Sequence, residues 1–435
     1  MPIVKVNKQG GILKKLSLLV PVVALLALPL LGWNNIVAIP AWIALGAVFI
    51  SRSNPGDPLF EMYVKASDWG AKRIIREDPE WHFEIVEGWK PEDFSFDKLK
   101  KLSRGFTTPV VFRGLAKGMT HLEDWGRPEY FAEKYGNTTL LSVQNSLISS
   151  QKAAAANASE YGSTGNDKGV FRTIPLKLGE AIEGMLEGKN YYFQNVDQLI
   201  RANPEIMDHM ELPNILKNWK DGRAYVPNVI NFFLGFGRGD PTQTLETTGS
   251  ALHAAMPANL FFMYSGRKLW WFIQPKWTPF ILGHFSHFIP AAFGRRIPDF
   301  VPKASVVLGP GDVMFNPSYM WHEVRNYDGW CVAAATRLIF PWAMVANNPF
   351  AYIMLDLFGN PFGFTADLYK DKPIKNFILN TPILRTLAIF AKGDAAEPEF
   401  SPARNNCDEH NMDNCLNMET SLLKKEHNDV TSRDD

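Results

Sequence analysis

Five short apolar stretches, rich in β-branched and aromatic residues, dominate the middle of the chain. They cover residues 229–236, 260–264, 269–273, 305–308 and 330–340, and glycine and proline turns separate them. Stretches of this kind are typical of β-strands, and several in succession predict a sandwich or barrel. Helical patterns at 122–135 and 178–186 precede all five stretches. We therefore predict an α+β fold in which helices flank a β-barrel, and not an alternating βαβ fold.

Two apolar runs lie near the N-terminus. Residues 16–33 carry no charge and only Ser17 as a polar side chain, which is about the length that crosses a bilayer. After Asn34 and Asn35 a second uncharged run covers 36–50. The two runs are too long for one straight span, so either the first crosses and the second lies at the interface, or they form a hairpin. A cleaved signal peptide is a third interpretation.

These patterns divide the chain into six predicted parts. They are a basic N-terminus (1–15), one or two transmembrane segments (16–50), a linker with the first helices (51–98), the barrel domain (99–345), C-terminal helices (346–393) and a disordered polar tail (394–435). We expect the C-terminal helices to pack on the barrel or to form a homodimer. The location is predicted to be a membrane, in particular an endomembrane, and the side of the membrane that the barrel occupies stays open.

Charge and cysteine content narrow the list of partners. Lysine plus arginine equals aspartate plus glutamate, at 45 each. The chain has no net positive charge that would attract nucleic acid, so nucleic acid is not expected as a partner. The three cysteines suggest no disulfide framework. The substrate, whether a small molecule or a protein, cannot be read from the sequence.

Two motifs each place one histidine beside a predicted strand. The first reads Gly-Ser-Ala-Leu-His and ends at His253; the second reads Trp-His-Glu-Val and contains His322. Iron(II) oxygenases bind their metal through ligands on one face and leave the other positions open. Two imidazoles from different strands would supply part of such a face.

In this order the motifs resemble the JmjC-type and cupin-like 2-oxoglutarate oxygenases, in particular those like the asparaginyl hydroxylase of hypoxia-inducible factor. The resemblance begins at residues 108–114 (Thr-Pro-Val-Val-Phe-Arg-Gly) and extends to about 340. It implies a double-stranded β-helix (jelly-roll) barrel, an oxidoreductase of the dioxygenase type, and iron(II) and 2-oxoglutarate as cofactors.

The resemblance also assigns residues. His253 and His322 correspond to the metal-binding histidines. Lys268, fifteen positions after His253, corresponds to the lysine that holds the distal carboxylate of 2-oxoglutarate. Arg337 is an alternative cation for that carboxylate. The positions that touch the keto acid are matched by Ser250, Asn259 and Tyr192.

One position departs from the family. Where the carboxylate ligand should stand, the chain has Ala255, which cannot bind a metal. Related halogenases also have alanine or glycine there and bind a halide in the vacated position. Alternatively Glu323, His284 or His287 completes the site, or the barrel is a binding module or pseudoenzyme. These three outcomes stay open.

Overall fold

The computed structural model describes 14 parts of the chain, and everything below concerns these residues. They are 33–51, 53, 56–76, 81–118, 122–144, 172–194, 196, 198–210, 230–242, 247–285, 291–293, 297–327, 329–338 and 340–352. The predicted basic N-terminus, the first apolar run, the tail and most of the C-terminal helices lie outside the described residues.

The β-strands fall into two groups along the chain. The first group is β1 Glu84–Val86, β2 Val110–Phe112, β3 Thr139–Gln144, β4 Arg172–Lys177, β5 Tyr191–Gln194 and β6 Ile230–Gly237. The second is β7 Gly249–Ala255, β8 Ala258–Ser265, β9 Lys268–Ile273, β10 His284–Phe285, β11 Ala291–Phe293, β12 Ala304–Leu308, β13 Val313–Asn316, β14 Trp321–Asn326 and β15 Gly329–Leu338.

Helices surround these strands in sequence. They are α1 Trp33–Ser51, α2 Pro58–Ala71, α3 Phe96–Leu102, α4 Leu122–Trp125, α5 Pro128–Tyr135, α6 Leu178–Leu186, α7 Gln198–Ala202, α8 Glu205–Met210 and α9 Pro341–Asn347, with 3-10 turns at Pro91–Asp93 and Pro275–Phe280. Proline at the first position of α2, α5 and α9 suits a helix start, because the missing N–H has no partner there.

The strands form two sheets. One has the order β1-β2-β13-β8-β15-β6-β5-β3-β4 and the other β10-β11-β7-β14-β9-β12. Every described pairing is antiparallel except that of β1 with β2. The five stretches predicted as strands correspond to β6, β8, β9, β12 and β15. The prediction of an α+β fold with helices flanking the strands is thereby confirmed, and the structure adds that the sheets are mostly antiparallel.

The two sheets pack face to face around an aromatic and aliphatic interior. Phe261 of β8 meets Trp270 of β9 in an edge-to-face contact with ring centroids 4.8 Å apart. Cys331, Ala333 and Ala335 alternate along β15 and all join this interior. Because side chains alternate between the faces of a strand, every second residue of the central strands faces the interior.

The outer face of each sheet is covered separately. Helices α3 to α8 pack on the nine-stranded sheet, where Trp125, Phe131 and Leu199 are fully or almost fully buried. Helices α1 and α2, together with the turn Pro275–Phe280, pack on the six-stranded sheet. The interior between the sheets is therefore isolated from both outer layers.

The second apolar run of the sequence forms α1, and one of its faces packs on the barrel. Ala41 and Leu45 are completely buried there. Among the residues that the structure describes, α1 is the one helix long and apolar enough to cross a bilayer. Core helices and signal sequences share this property, so it is weak support for a membrane span.

Asp312 holds the turn that leads into β13. Its carboxylate accepts hydrogen bonds from the backbone N–H of Gly114 at 3.0 Å and of Gly309 at 2.9 Å, and it pairs with Arg113 at 2.5 Å. Gly311, with φ of 84°, occupies a backbone conformation that favours glycine. Asp312 therefore shapes this turn through its side chain.

Candidate functional site

Strands β7 and β14 bring the two motif histidines together. His253 and His322 are direct partners in the antiparallel register, and their ring centroids lie 4.2 Å apart with the ring planes at 53°. Directly opposite residues of a sheet point to the same face. Val324, two residues after His322, belongs to the interior cluster, so both imidazoles face the interior.

Each imidazole is fixed by its own strand. Nδ1 of His253 is 2.7 Å from the carbonyl oxygen of Ala251, and Nδ1 of His322 is 2.8 Å from that of Met320. A carbonyl oxygen only accepts, so both rings donate from Nδ1. Each Nε2 therefore keeps its lone pair. Trp270 stacks on His322 with ring centroids 5.3 Å apart, which restrains this ring further.

Burial keeps both histidines neutral at physiological pH. It lowers the pKa of His253 to about 4, against the opposing effect of the hydrogen bond to Ala251. The pKa of His322 is held well below its usual value by burial and by the neighbouring His253. The guanidinium of Arg337 lowers the pKa of both rings further. A neutral imidazole with the lone pair on Nε2 is the form that binds a metal ion.

Lys268 lies in the same interior, at the start of β9. Its side chain is completely buried, and its Nζ donates a hydrogen bond to Oδ1 of Asn326. The Nδ2 of Asn326 donates to Thr248 at 2.7 Å, which fixes the amide with its oxygen toward the lysine. In the described parts of the chain no carboxylate pairs with this ammonium. Burial lowers the pKa of Lys268 to about 8, so it is a cation at neutral pH without a neutralising partner there.

Tyr192 and Ser250 lie next to this lysine. The Lys268 ammonium is 5.3 Å from the centre of the Tyr192 ring, and the Tyr192 hydroxyl is hydrogen-bonded to that of Ser250. Burial raises the pKa of Tyr192, which stays protonated. Gly235 allows the close approach, because a Cβ there would lie 2.7 Å from the Tyr192 ring and 2.9 Å from Nδ2 of Asn326.

A row of polar side chains crosses the inner face of the opposite sheet. Asn259 is the register partner of Asn316 on one side and of Arg337 on the other. Arg337 continues the inward face of β15, and Asn231 accepts hydrogen bonds from its Nε at 3.0 Å and its Nη2 at 3.3 Å. The Oδ1 atoms of Asn259 and Asn316 are buried acceptors without a donor among the described residues. Such atoms call for a bound ligand or water.

The structure does not bring Glu323 to the histidine pair. Glu323 forms an ion pair with Arg325 at 2.6 Å, and its position next to His322 in the strand puts it on the outer face. His284 lies two strands from His253 in the register, opposite Phe293, and His287 lies outside the described residues. In the described part of the chain no cluster of three or more metal-binding side chains exists. Ala255 follows His253 by two residues and contributes only its backbone carbonyl, which accepts from Tyr319.

The family model for the cupin-like domain matches residues 103–336, just over half of the chain. The chain belongs to the cupin-like domain family. A search of curated proteins found no match. The matched range contains the strands from β2 to β14 and most of β15. It therefore includes both histidines and Lys268.

Sequence reasoning gave too little weight to three residues of this cupin-like interior. The sequence offers Arg337 only as an alternative to Lys268, because a strand arginine faces outward as often as inward, and Asn316 has the place of a turn residue before Pro317. Asn231 was not considered at all. Along β15 the small residues Cys331, Ala333 and Ala335 alternate and share one face. This period of two predicts that the side chain of Arg337 lies on the same, inward face.

Proposed function

We propose that this cupin-like protein is a 2-oxoglutarate-dependent iron(II) oxygenase whose metal is bound by His253 and His322. The observation that carries the proposal is the facing pair of imidazoles, His322 buried and His253 partly buried, with ring centroids 4.2 Å apart and each Nδ1 fixed on a backbone carbonyl. Histidine ligands of metals are commonly held through their second nitrogen in this way.

The donor set fits iron(II) in part. Two neutral imidazoles supply two ligands on one side, and no described carboxylate supplies a third. A keto acid that binds through its carboxylate and carbonyl oxygens would contribute two more ligands and negative charge. The residues present therefore fit a metal that takes its remaining ligands from the co-substrate and from a small anion or water beside Ala255.

Each residue of the interior would have a separate role. His253 and His322 would hold iron(II), which supplies the oxidative decarboxylation of 2-oxoglutarate coupled to oxidation of a substrate. Lys268 would bind the distal carboxylate, because a buried ammonium needs an anionic partner. Tyr192, Ser250 and Asn259 would donate hydrogen bonds to the oxygens of the keto acid. Trp270, Phe272 and Phe261 would exclude water from the interior.

An anaerobic titration tests this proposal. Iron(II) and 2-oxoglutarate added to the full chain should produce the visible charge-transfer band of a metal-bound keto acid. The His253→Ala variant should lose the band, and His82→Ala, at an exposed position before β1, should keep it. If the native chain shows no band, the proposal is wrong.

Ala255 bears on the reaction type within this proposal. A vacated ligand position next to a metal accepts an exogenous anion, and chloride there would direct the enzyme toward halogenation instead of hydroxylation. Chloride should then tighten the binding of 2-oxoglutarate to the iron(II)-loaded chain, measured by titration at constant ionic strength with nitrate as the control anion. An equal affinity in both salts would favour hydroxylation.

A second candidate function is a cupin-like binding protein without turnover. The observation that favours it is Arg337, whose charge acts on both histidines in an interior without a described carboxylate. A cation close to two imidazoles weakens the binding of a metal cation. Binding of 2-oxoglutarate that is equally tight with and without iron(II), in the absence of the charge-transfer band, would support this candidate.

A further inference from the structure

The exposed face of α1 is aliphatic over its whole length. Ile36, Ile39, Pro40, Ile43, Ala47 and Ile50 are partly or fully exposed. Their spacing of three or four residues places them on one stripe of the helix, opposite Ala41 and Leu45, which are buried on the barrel. Ile43 is 68% exposed and Ile50 57%. An amphipathic helix of a soluble domain would carry polar residues on this stripe.

Exposed apolar residues concentrate on this side of the molecule. The structure describes eight large hydrophobic side chains as exposed, and five of them lie in α1, in α2 or directly after α2: Ile43, Ile50, Met62, Trp69 and Ile75. Scattered single residues need no explanation, whereas a cluster of this kind marks a surface that contacts a partner or a lipid phase.

The end of α2 carries a tryptophan, and three basic residues follow the helix before an acidic stretch at 77–80. Lys72, Arg73 and Arg76 are exposed and lie within five residues of one another. The guanidinium of Arg73 stacks on the Trp69 ring, 4.3 Å from its centre. Tryptophan with neighbouring basic residues is the combination enriched where a membrane surface meets water.

This basic corner lies beside the start of α1. Asn34 donates from Nδ2 to the carbonyl oxygen of Ile75 at 2.9 Å, and the N–H of Ile75 donates to Oδ1 of Asn34 at 2.8 Å. The uncharged run 16–33 ends at the residue before Asn34. A chain that leaves a bilayer at the end of this run would place Trp69 and the three basic residues at the headgroups.

We propose that α1 and the end of α2 form a lipid-docking surface. The aliphatic stripe of α1 lies in the plane of the membrane at the acyl boundary, and Lys72, Arg73 and Arg76 contact anionic headgroups. In this arrangement α1 does not span the bilayer, because its opposite face stays packed on the six-stranded sheet. The barrel is held with the outer side of this sheet toward the membrane.

Site-specific photo-crosslinking tests this surface in the full chain. A small aliphatic diazirine amino acid replaces Ile43, Ile50, Leu45 or Ile85 in separate variants, which are reconstituted into phosphatidylcholine and phosphatidylserine vesicles, floated and illuminated. Ile85 is the matched control, because it is 49% exposed and lies on β1, away from α1. Mass spectrometry then identifies the crosslinked partner.

Lipid adducts at positions 43 and 50, with none above the dark background at 45 and 85, are the expected result. Equal lipid adducts at 43 and 45 would mean that α1 leaves the barrel and spans the bilayer. Adducts at 43 to a second copy of the chain, or to another segment of the same chain, would show that protein covers the stripe. Either result, or a chain that does not float, would overturn the proposal. None of these readouts depends on iron or 2-oxoglutarate.

Discussion

His253 and His322 lie directly across from each other on β7 and β14, and each ring donates from Nδ1 to the carbonyl two residues earlier in the chain. The backbone of the barrel thus aims both Nε2 atoms before any ligand arrives. Preorganisation of this kind lowers the cost of ordering the site on binding.

Loss of either imidazole should remove the metal site. His253→Ala and His322→Ala are each expected to weaken iron(II) binding by more than about 100-fold, because even loss of a supporting group around a metal costs about 10–100-fold. Anaerobic calorimetry without 2-oxoglutarate measures this directly. His82→Ala serves as the control, and a variant at 253 or 322 with unchanged affinity would place the metal elsewhere.

Replacement of Lys268 by methionine should separate stability from binding. The buried ammonium costs free energy at neutral pH, so Lys268→Met is expected to leave the free energy of unfolding unchanged or to raise it by about 1–3 kcal/mol. Binding of 2-oxoglutarate should weaken by about 2 kcal/mol or more, since the distal carboxylate loses its charged partner. Urea denaturation and calorimetry give the two values. A variant that binds the keto acid normally would exclude Lys268 as its anchor.

The lowered pKa of Lys268 predicts how binding depends on pH. The ordinary value is 10.5 and the folded value about 8, so the folded chain carries the charged ammonium below pH 8 and the neutral amine above it. Affinity for the 2-oxoglutarate dianion should therefore fall as pH rises from 8 to 10, by up to about tenfold per unit. The stability gain of Lys268→Met should shrink over the same range, because the native lysine no longer carries the buried charge.

A carboxylate at position 255 should strengthen the metal site. This position follows His253 by two residues on the same side of β7, so Ala255→Asp is expected to raise iron(II) affinity by at least about tenfold by adding an anionic ligand. Ala255→Asn, which matches the shape without the charge, should raise it less. Iron binding that weakens in the Asp variant would mean that the side chain at 255 does not reach the metal.

Asp312 should be a stability residue without a direct part in binding. Asp312→Ala removes the acceptor for the N–H groups of Gly114 and Gly309 and is expected to lower the free energy of unfolding by about 3 kcal/mol. Most of this cost belongs to the two partly buried amides, because Arg113 is partly exposed and its ion pair is screened by water. Asp312→Asn keeps one acceptor oxygen and should cost less. Urea denaturation gives both values, and a loss of less than about 1 kcal/mol in Asp312→Ala would show that the turn holds without the carboxylate.

The sequence alone predicts the strand pattern and the two histidine motifs, because both are local properties of the chain. Alternation of side chains with a period of two placed β6, β8, β9, β12 and β15 to within a few residues, and the spacing of His253, Lys268 and His322 suggested a shared site. The apolar character of 36–50 was equally plain, but composition cannot distinguish a helix that packs on a barrel from one that crosses a bilayer.

Only the tertiary structure decided which side chains meet. The register of β7 against β14 makes His253 and His322 direct partners, and the order β13-β8-β15 aligns Asn316, Asn259 and Arg337. These relationships join residues that lie far apart in the chain, such as Asn259 and Arg337. Strand order and register follow from the packing of the whole barrel, and no local pattern in the sequence encodes them.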